Sequence, residues 1–177
     1  PSTVVSLLEG IKEKLGKDVE VVYEKAVNFT NDTLLVHKNI STLYSYDGKP
    51  GVKAEYFANE KLEGAPVLTQ IEKEIDHYWQ EGSIPFPTVP AIHFSARYTT
   101  TITATKDEAM SFESEANDGY RISINDSVVV DAWERNRWGS RQFKLAAKKG
   151  VTYKIEMTFR QSEGDATVKL RAGNYVK

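Results

Sequence analysis

Val151-Thr152-Tyr153-Lys154-Ile155-Glu156-Met157-Thr158-Phe159 decides the fold class of this chain. Apolar side chains fill every second position and polar ones fill the gaps. Successive side chains of a strand point to opposite faces, so this stretch makes one dry face and one wet face. A helix would scatter the same residues around its axis. Working outward, Ala166, Val168 and Leu170 continue the rhythm. Upstream, Tyr120, Ile122 and Ile124 alternate with Arg121 and Ser123, and Met110 and Phe112 with Ser111 and Glu113. Ile92, Phe94, Ala96 and Tyr98 alternate with His93, Ser95 and Arg97, and Val52, Ala54 and Tyr56 with Lys53 and Glu55. Turn chemistry separates the runs at Asn117-Asp118-Gly119, Asn125-Asp126-Ser127, Lys149-Gly150 and Glu163-Gly164-Asp165. Half-wet strands joined by short turns pack as two antiparallel sheets, so residues 51–177 are expected to form a mainly β sandwich.

The first 50 residues read differently. Val4, Leu7, Leu8, Ile11 and Leu15 share one helical face, with Ser2 or Thr3 as cap and Gly16 as stop. Val19-Glu20-Val21-Val22-Tyr23 reads as a strand buried on both faces, as in a parallel sheet. Residues 28–49 are polar and read as a connection that ends at the turn Asp47-Gly48-Lys49-Pro50. A short α/β segment, 1–50, is thus expected before the sandwich. Pro1-Ser2-Thr3 opens the chain without an initiator Met or a basic leader, so the chain is expected to be a piece of a larger protein.

Composition narrows the function. A chain of 177 residues, 40% hydrophobic and 27% charged, has material for one packed domain and an extra element. A net charge of -2 gives no concentrated basic field, which argues against a nucleic-acid partner. No apolar run approaches the ~18 residues of a membrane span, and a membrane partner is not expected. With no cysteine there is no disulfide, thiol nucleophile or cysteine zinc site, and the compartment stays open, periplasmic or secreted included.

Catalytic motifs are weak. His37, His77 and His93 are scattered, and His93 reads as a solvated or hydrogen-bonded residue on a polar strand face. Asp76, Glu81, Asp131 and Glu134 are available for a carboxylate pair, but acids crowd any wet surface. Aromatic residues in polar stretches are more informative. Tyr78 and Trp79 precede Gly82 and a proline cluster, and Trp133 and Trp138 bracket Glu134-Arg135-Asn136-Arg137. Indole rings stack on sugar faces while neighbouring polar groups bond the hydroxyls. Trp133, at the end of an apolar strand, reads as core, whereas Trp79 and Trp138 stay open between packing and sugar contact. Asn117-Asp118-Gly119 is read first as a turn with left-handed backbone, and second as a ligand or Ca²⁺ site short of oxygens.

Gly51-Val52-Lys53-Ala54-Glu55-Tyr56-Phe57, Phe94-Ser95-Ala96-Arg97-Tyr98, Ala116 through Asn125, and Val128-Val129-Val130-Asp131-Ala132-Trp133 together resemble a PA14 domain. Tyr153 through Met157 and Gly164 through Leu170 fit the same pattern. Leu8-Glu9-Gly10-Ile11-Lys12 with Val19 through Tyr23 looks like part of the second, α/β domain of family 3 glycoside hydrolases, into which some β-glucosidases insert a PA14 module. The resemblance implies a carbohydrate-facing accessory module of a β-glucosidase. Such a module shapes the substrate pocket and selects short oligosaccharides, with the parent hydrolase's catalytic domains as partners and no catalysis of its own. The candidate substrate-binding residues are Trp79, Asn117, Asp118, Arg135 and Trp138, and no cofactor is expected. PA14 adhesin lectins hold Ca²⁺ with two aspartates at the turn where this chain has Asn117-Asp118. The competing expectations are an autonomous calcium-dependent lectin and a purely structural or partner-docking sandwich.

Overall fold

The protein is described from a computed structural model, which covers residues 14, 34–37, 45–134 and 137–176. The chain divides into two compact units, Pro1–Thr33 and Leu34–Lys177. In the first unit only Lys14 is described, and it is helical and exposed. The remaining expected helix and strand of that unit lie outside the described residues.

The second unit is an antiparallel β-sandwich. Among the described residues thirteen strands are present: β1 (Leu34–His37), β2 (Ser45–Tyr46), β3 (Lys49–Pro50), β4 (Val52–Phe57), β5 (Leu68–Glu72), β6 (Asp76–Trp79), β7 (Phe94–Thr103), β8 (Glu108–Ala116), β9 (Tyr120–Ile124), β10 (Ser127–Ala132), β11 (Gly139–Ala147), β12 (Thr152–Gln161) and β13 (Ala166–Val176). One sheet runs β1-β13-β8-β11, with β6 also beside β13. The other runs β10-β9-β12-β7, where β7 continues to β2-β3 and, through β4, to β5.

The run that decided the fold is central strand β12, with β9 on one side and β7 on the other. Its inward residues Tyr153, Ile155, Met157 and Phe159 are buried, and register places Met157 opposite both Tyr98 and Ile122. Facing them from the other sheet are Phe112, Ala116, Val168 and Leu170. Burying an aromatic or large aliphatic side chain is worth roughly 1.5–3 kcal/mol, so this shared interior supplies the main force for folding.

Turn chemistry explains the connections. Asn125 (φ 48°) and Asp126 (φ 64°) both lie in the left-handed region, the requirement of a two-residue hairpin between β9 and β10. Asp47 (φ 50°) and Gly48 (φ 71°) repeat this between β2 and β3. Residues 28–49, expected as a connection, therefore contribute β1, β2 and part of β3 to the sheets. The strand expected to start at Ile92 starts at Phe94 instead, because His93 (φ 56°) breaks the extended backbone before it.

Candidate functional site at one end of the sandwich

Register brings the loops carrying the candidate residues to one pole. Phe57 lies opposite Ser95, Phe94 opposite Gln161, Tyr120 opposite Ala132, Ala116 opposite Gly139, and Ala166 opposite Trp79. The connections β4–β5, β6–β7, β8–β9, β10–β11 and β12–β13 thus leave the sandwich at the same end. Among the candidates Trp79, Asn117, Asp118 and Trp138 gather there, while Arg135 lies outside the described residues.

Each of the four has a different environment. Trp138 is 61% exposed, and its indole Nε1 donates to Glu115 Oε1 at 3.1 Å. Burial pushes the Glu115 carboxyl up, but the Trp138 N–H, Lys169 and Arg171 outweigh it and hold the group below its ordinary value. Asn117 clamps β8 to β13: its Oδ1 accepts Thr167 N–H at 2.8 Å, and its N–H donates to Thr167 O at 3.3 Å. Thr167 in turn lies opposite Tyr78. Gly139 lies opposite Ala116, so Trp138, one residue before it, extends the line beside Asn117, and Tyr78, Thr167, Asn117 and Trp138 follow one another across the sheet end. With strands ~4.8 Å apart, the two aromatics at the ends of that row stand roughly 15 Å from each other. Tyr78 is 59% exposed, and its hydroxyl donates to Asp165 Oδ2 at 2.9 Å, while Asp165 Oδ1 also accepts Glu81 N–H at 2.7 Å.

Trp79 departs from its expected place in a loop. It closes β6 and packs inward, stacked on His77 at 4.6 Å and edge-on to Tyr56, Phe86 and Phe94. The alternation of β6 sends His77 and Trp79 inward and Asp76 and Tyr78 outward, so the strand spends its indole on the core. Trp133 departs in the other direction. Expected as core, it sits half-buried after β10, with Arg121 5.8 Å from its ring centroid.

Asp118 is buried, and its Oδ2 accepts Ser162 N–H at 2.9 Å. Burial pushes its carboxyl up, and Glu60 and Glu163 add to that, against the pull of Ser162 N–H and Arg160. Asn117-Asp118-Gly119 uses no left-handed residue, contrary to the turn reading. Gly119 is required by close approach instead: a Cβ there would collide with the Trp133 carbonyl oxygen and fall 2.5 Å from Arg160 Nε.

Behind Asp118 stands a cluster that the sequence did not signal, since its members are far apart in the chain. Glu60 Oε1 meets His93 Nδ1 at 2.6 Å, and Glu60 Oε2 accepts from Ser162 Oγ at 2.8 Å and Arg160 Nη1 at 3.2 Å. Arg160 Nε also donates to the Trp133 carbonyl at 2.9 Å. These bonds answer the Ca²⁺ question. Asn117 Oδ1, Asp118 Oδ2 and both Glu60 oxygens already accept protein donors, and Arg160 brings positive charge. The residues present do not fit the six to eight oxygens that Ca²⁺ requires. Two of the four acids considered for a catalytic pair are tied to cations on opposite sheets: Asp76 faces Lys169 at 3.8 Å on one, and Asp131 pairs with Arg121 at 3.0 Å on the other.

The PA14 domain model matches residues 48–175, more than half of the chain. The chain belongs to the PA14 family. The PA14 region extends the sandwich recognised from residue 51 into the β2–β3 hairpin. Among curated relatives, xylan 1,4-beta-xylosidase of Xylanibacter ruminicola is 28% identical over 162 residues, covering 90% of this chain and 18% of the relative. Anti-sigma-I factor RsgI3 of Acetivibrio thermocellus is 27% identical over 137 residues, covering 73% of this chain and 21% of the relative. The PA14 chain thus spans about a fifth of the length of either protein. A crystal structure of beta-glucosidase from Kluyveromyces marxianus in complex with glucose shares the fold, with a TM-score of 0.55 and 20% identity, over 98% of this chain and 21% of that one.

Proposed function

We propose that this PA14 module is a carbohydrate-facing accessory of a glycoside hydrolase, which shapes a substrate pocket and favours short oligosaccharides while other domains cleave the bond. The observation that carries the reading is the row at the pole. Trp138 and Tyr78, both more than half exposed, flank Asn117 across the sheet end. Exposed rings held by Glu115 and Asp165 suit the apolar faces of sugars, and the amide and carboxylates between them suit the hydroxyls. Likeness to a xylosidase and to a glucose-bound β-glucosidase supports a hydrolase setting. The finer assignment, a β-glucosidase of family 3 with the module inserted in its α/β domain, rests on the leading segment Leu8–Lys12 and Val19–Tyr23.

Deleting residues 48–175 from the full-length hydrolase is expected to change the ratio of kcat/KM between disaccharide and tetrasaccharide substrates. Hydrolysis of a small aryl glycoside should be nearly unaffected. An unchanged length preference would refute the proposal and favour a purely structural sandwich. A second reading, a binding module of a regulatory protein, is favoured by the likeness to anti-sigma-I factor RsgI3. An intact parent protein with no hydrolase domain would support that alternative.

A further inference from the structure

The outer face of the sheet containing β9 and β12 carries a depression of about 420 Å³, apart from the Tyr78–Trp138 row. That volume is within the ~300–1,000 Å³ typical of small-ligand clefts. Trp133 is one wall, and it is contacted from two directions. The Arg121 guanidinium lies 5.8 Å from its ring centroid. Asp131 accepts the Trp133 backbone N–H at 3.2 Å while receiving Arg121 Nε and Nη2 at 3.1 and 3.3 Å. An ion pair with side chains 43% and 54% exposed adds little stability. Its consequence here is a guanidinium positioned against the Trp133 ring beside an open groove.

The facing wall comes from the β4–β5 loop. Asn59 Oδ1 accepts the N–H groups of Lys61 and Glu63, and Ser95 Oγ accepts that of Leu62, whose left-handed backbone (φ 61°) turns the loop over the groove. The floor is made of Ser123, Glu156 and Thr158, outward-facing residues of β9 and β12. Neither the Lys61 ammonium nor the Glu156 carboxylate enters an ion pair among the described residues. The cleft therefore combines an aromatic wall, two hydroxyls, a donor cation and an acceptor anion, with lining charges of both signs. That set suits a ligand rich in hydroxyls and without net charge, and it suits neither a phosphate nor an apolar peptide.

We propose that this groove is a second saccharide site, which binds a neutral oligosaccharide with one ring against Trp133 and hydroxyls bonded between Lys61 and Glu156. The choice of saccharide as ligand rests on the reading under Proposed function; the location does not, since it lies on the sheet face and not on the pole row.

The test is a titration of the 177-residue chain with xylotetraose, cellotetraose and, as acidic comparator, tetragalacturonate, followed by ¹⁵N–¹H spectra. A neutral probe is expected to shift the amides of Ser123, Glu156 and Thr158 and the Trp133 indole N–H. Trp133→Ala should raise Kd at these signals about tenfold. Trp133→Phe should recover part of that loss, and Glu156→Gln, a surface change that leaves folding intact, should weaken binding several-fold. Trp138→Ala should leave Kd at these signals unchanged. Shifts confined to Tyr78, Asn117 and Trp138 would overturn the groove while sustaining the pole. Shifts in the groove alone would sustain the second site and count against the pole row as a contact. Tighter binding of tetragalacturonate would overturn the ligand class, and no groove shift at up to about 10 mM of any probe would overturn the site.

Discussion

Gly119→Ala separates two physical reasons for a glycine. Gly119 is not in the left-handed region, so alanine there meets no backbone strain. It meets matter instead: the new methyl collides with the Trp133 carbonyl oxygen and lies 2.5 Å from Arg160 Nε and 3.0 Å from Arg160 Cγ. Backbone cannot yield as a flexible side chain does, so the β10–β11 turn or β9 must shift. Overpacking of this kind costs about 1–3 kcal/mol. The shift also pulls apart the 2.9 Å bond from Arg160 Nε to the Trp133 carbonyl, worth about 1.5–3 kcal/mol as a charged hydrogen bond. The sum is about 2.5–6 kcal/mol, which lowers Tm by about 5–24 °C in a domain of this size. Gly150→Ala is the internal comparison, because Gly150 has φ +78° and nothing within 4 Å of its would-be Cβ. Its cost is backbone strain alone, about 1–2 kcal/mol. Thermal unfolding followed by circular dichroism should place Gly119→Ala well below Gly150→Ala. Equal melting points for the two variants, or Gly119→Ala within about 2 °C of the parent chain, would refute the close-approach argument.

Further outcomes concern the buried polar groups and the pole. Glu72 accepts Tyr56 Oη and Gln70 Nε2 and meets His77 Nε2, each at 2.7 Å; Glu72→Ala removes three partners at once, leaves the buried Tyr56 hydroxyl only the longer 3.3 Å bond with the Tyr98 hydroxyl, and should cost about 3–5 kcal/mol in urea denaturation, with Glu72→Gln costing less. Burial pushes Glu72 and Glu60 up, but their hydrogen-bond donors, above all His77 and His93, hold both below the ordinary value. The stability they contribute is therefore full above the unfolded-state pKa near 4.3, and urea midpoints should fall as pH drops from about 5 through the folded values. Asp118 has the opposite sign: its raised pKa gives stability that is present at low pH and lost as pH rises through the folded value, so Asp118→Asn should raise Tm at pH 7 relative to its effect at pH 4. Trp138→Ala should leave Tm within about 2 °C, its ring being 61% exposed, while reducing saccharide-induced shifts at Asn117.

The sandwich was legible because its long strands each keep one wet face. Phe94–Thr103, Tyr120–Ile124 and Thr152–Gln161 show the alternation in burial that their sequence shows in polarity. The missed strands are ones whose surroundings blur that rhythm. At β11, Ser140, Arg141 and Gln142 are all exposed at the sheet edge, and at β5 the apolar Ile71 is 53% exposed. At β6 four residues are too few to show a period, so Trp79 looked like a loop residue when it is half of a stacked pair with His77. The pole was legible in part. Asn117 and Trp138 announce themselves as an amide in a turn and an indole among charges. Glu60, His93, Arg160 and Ser162 do not, since ordinary polar residues up to 102 positions apart become a cluster only through register. Local sequence encodes which way a side chain faces; it does not encode which distant strand ends beside it.

The most direct measurement is a crystal structure of the intact parent protein with a bound oligosaccharide of four or more units. The expected density places the distal sugar rings against Trp138 and Tyr78, with the non-reducing end in a catalytic cleft supplied by another domain. A glycan ordered in that cleft while the Tyr78–Trp138 row points to bulk solvent or to a protein surface would contradict the assignment.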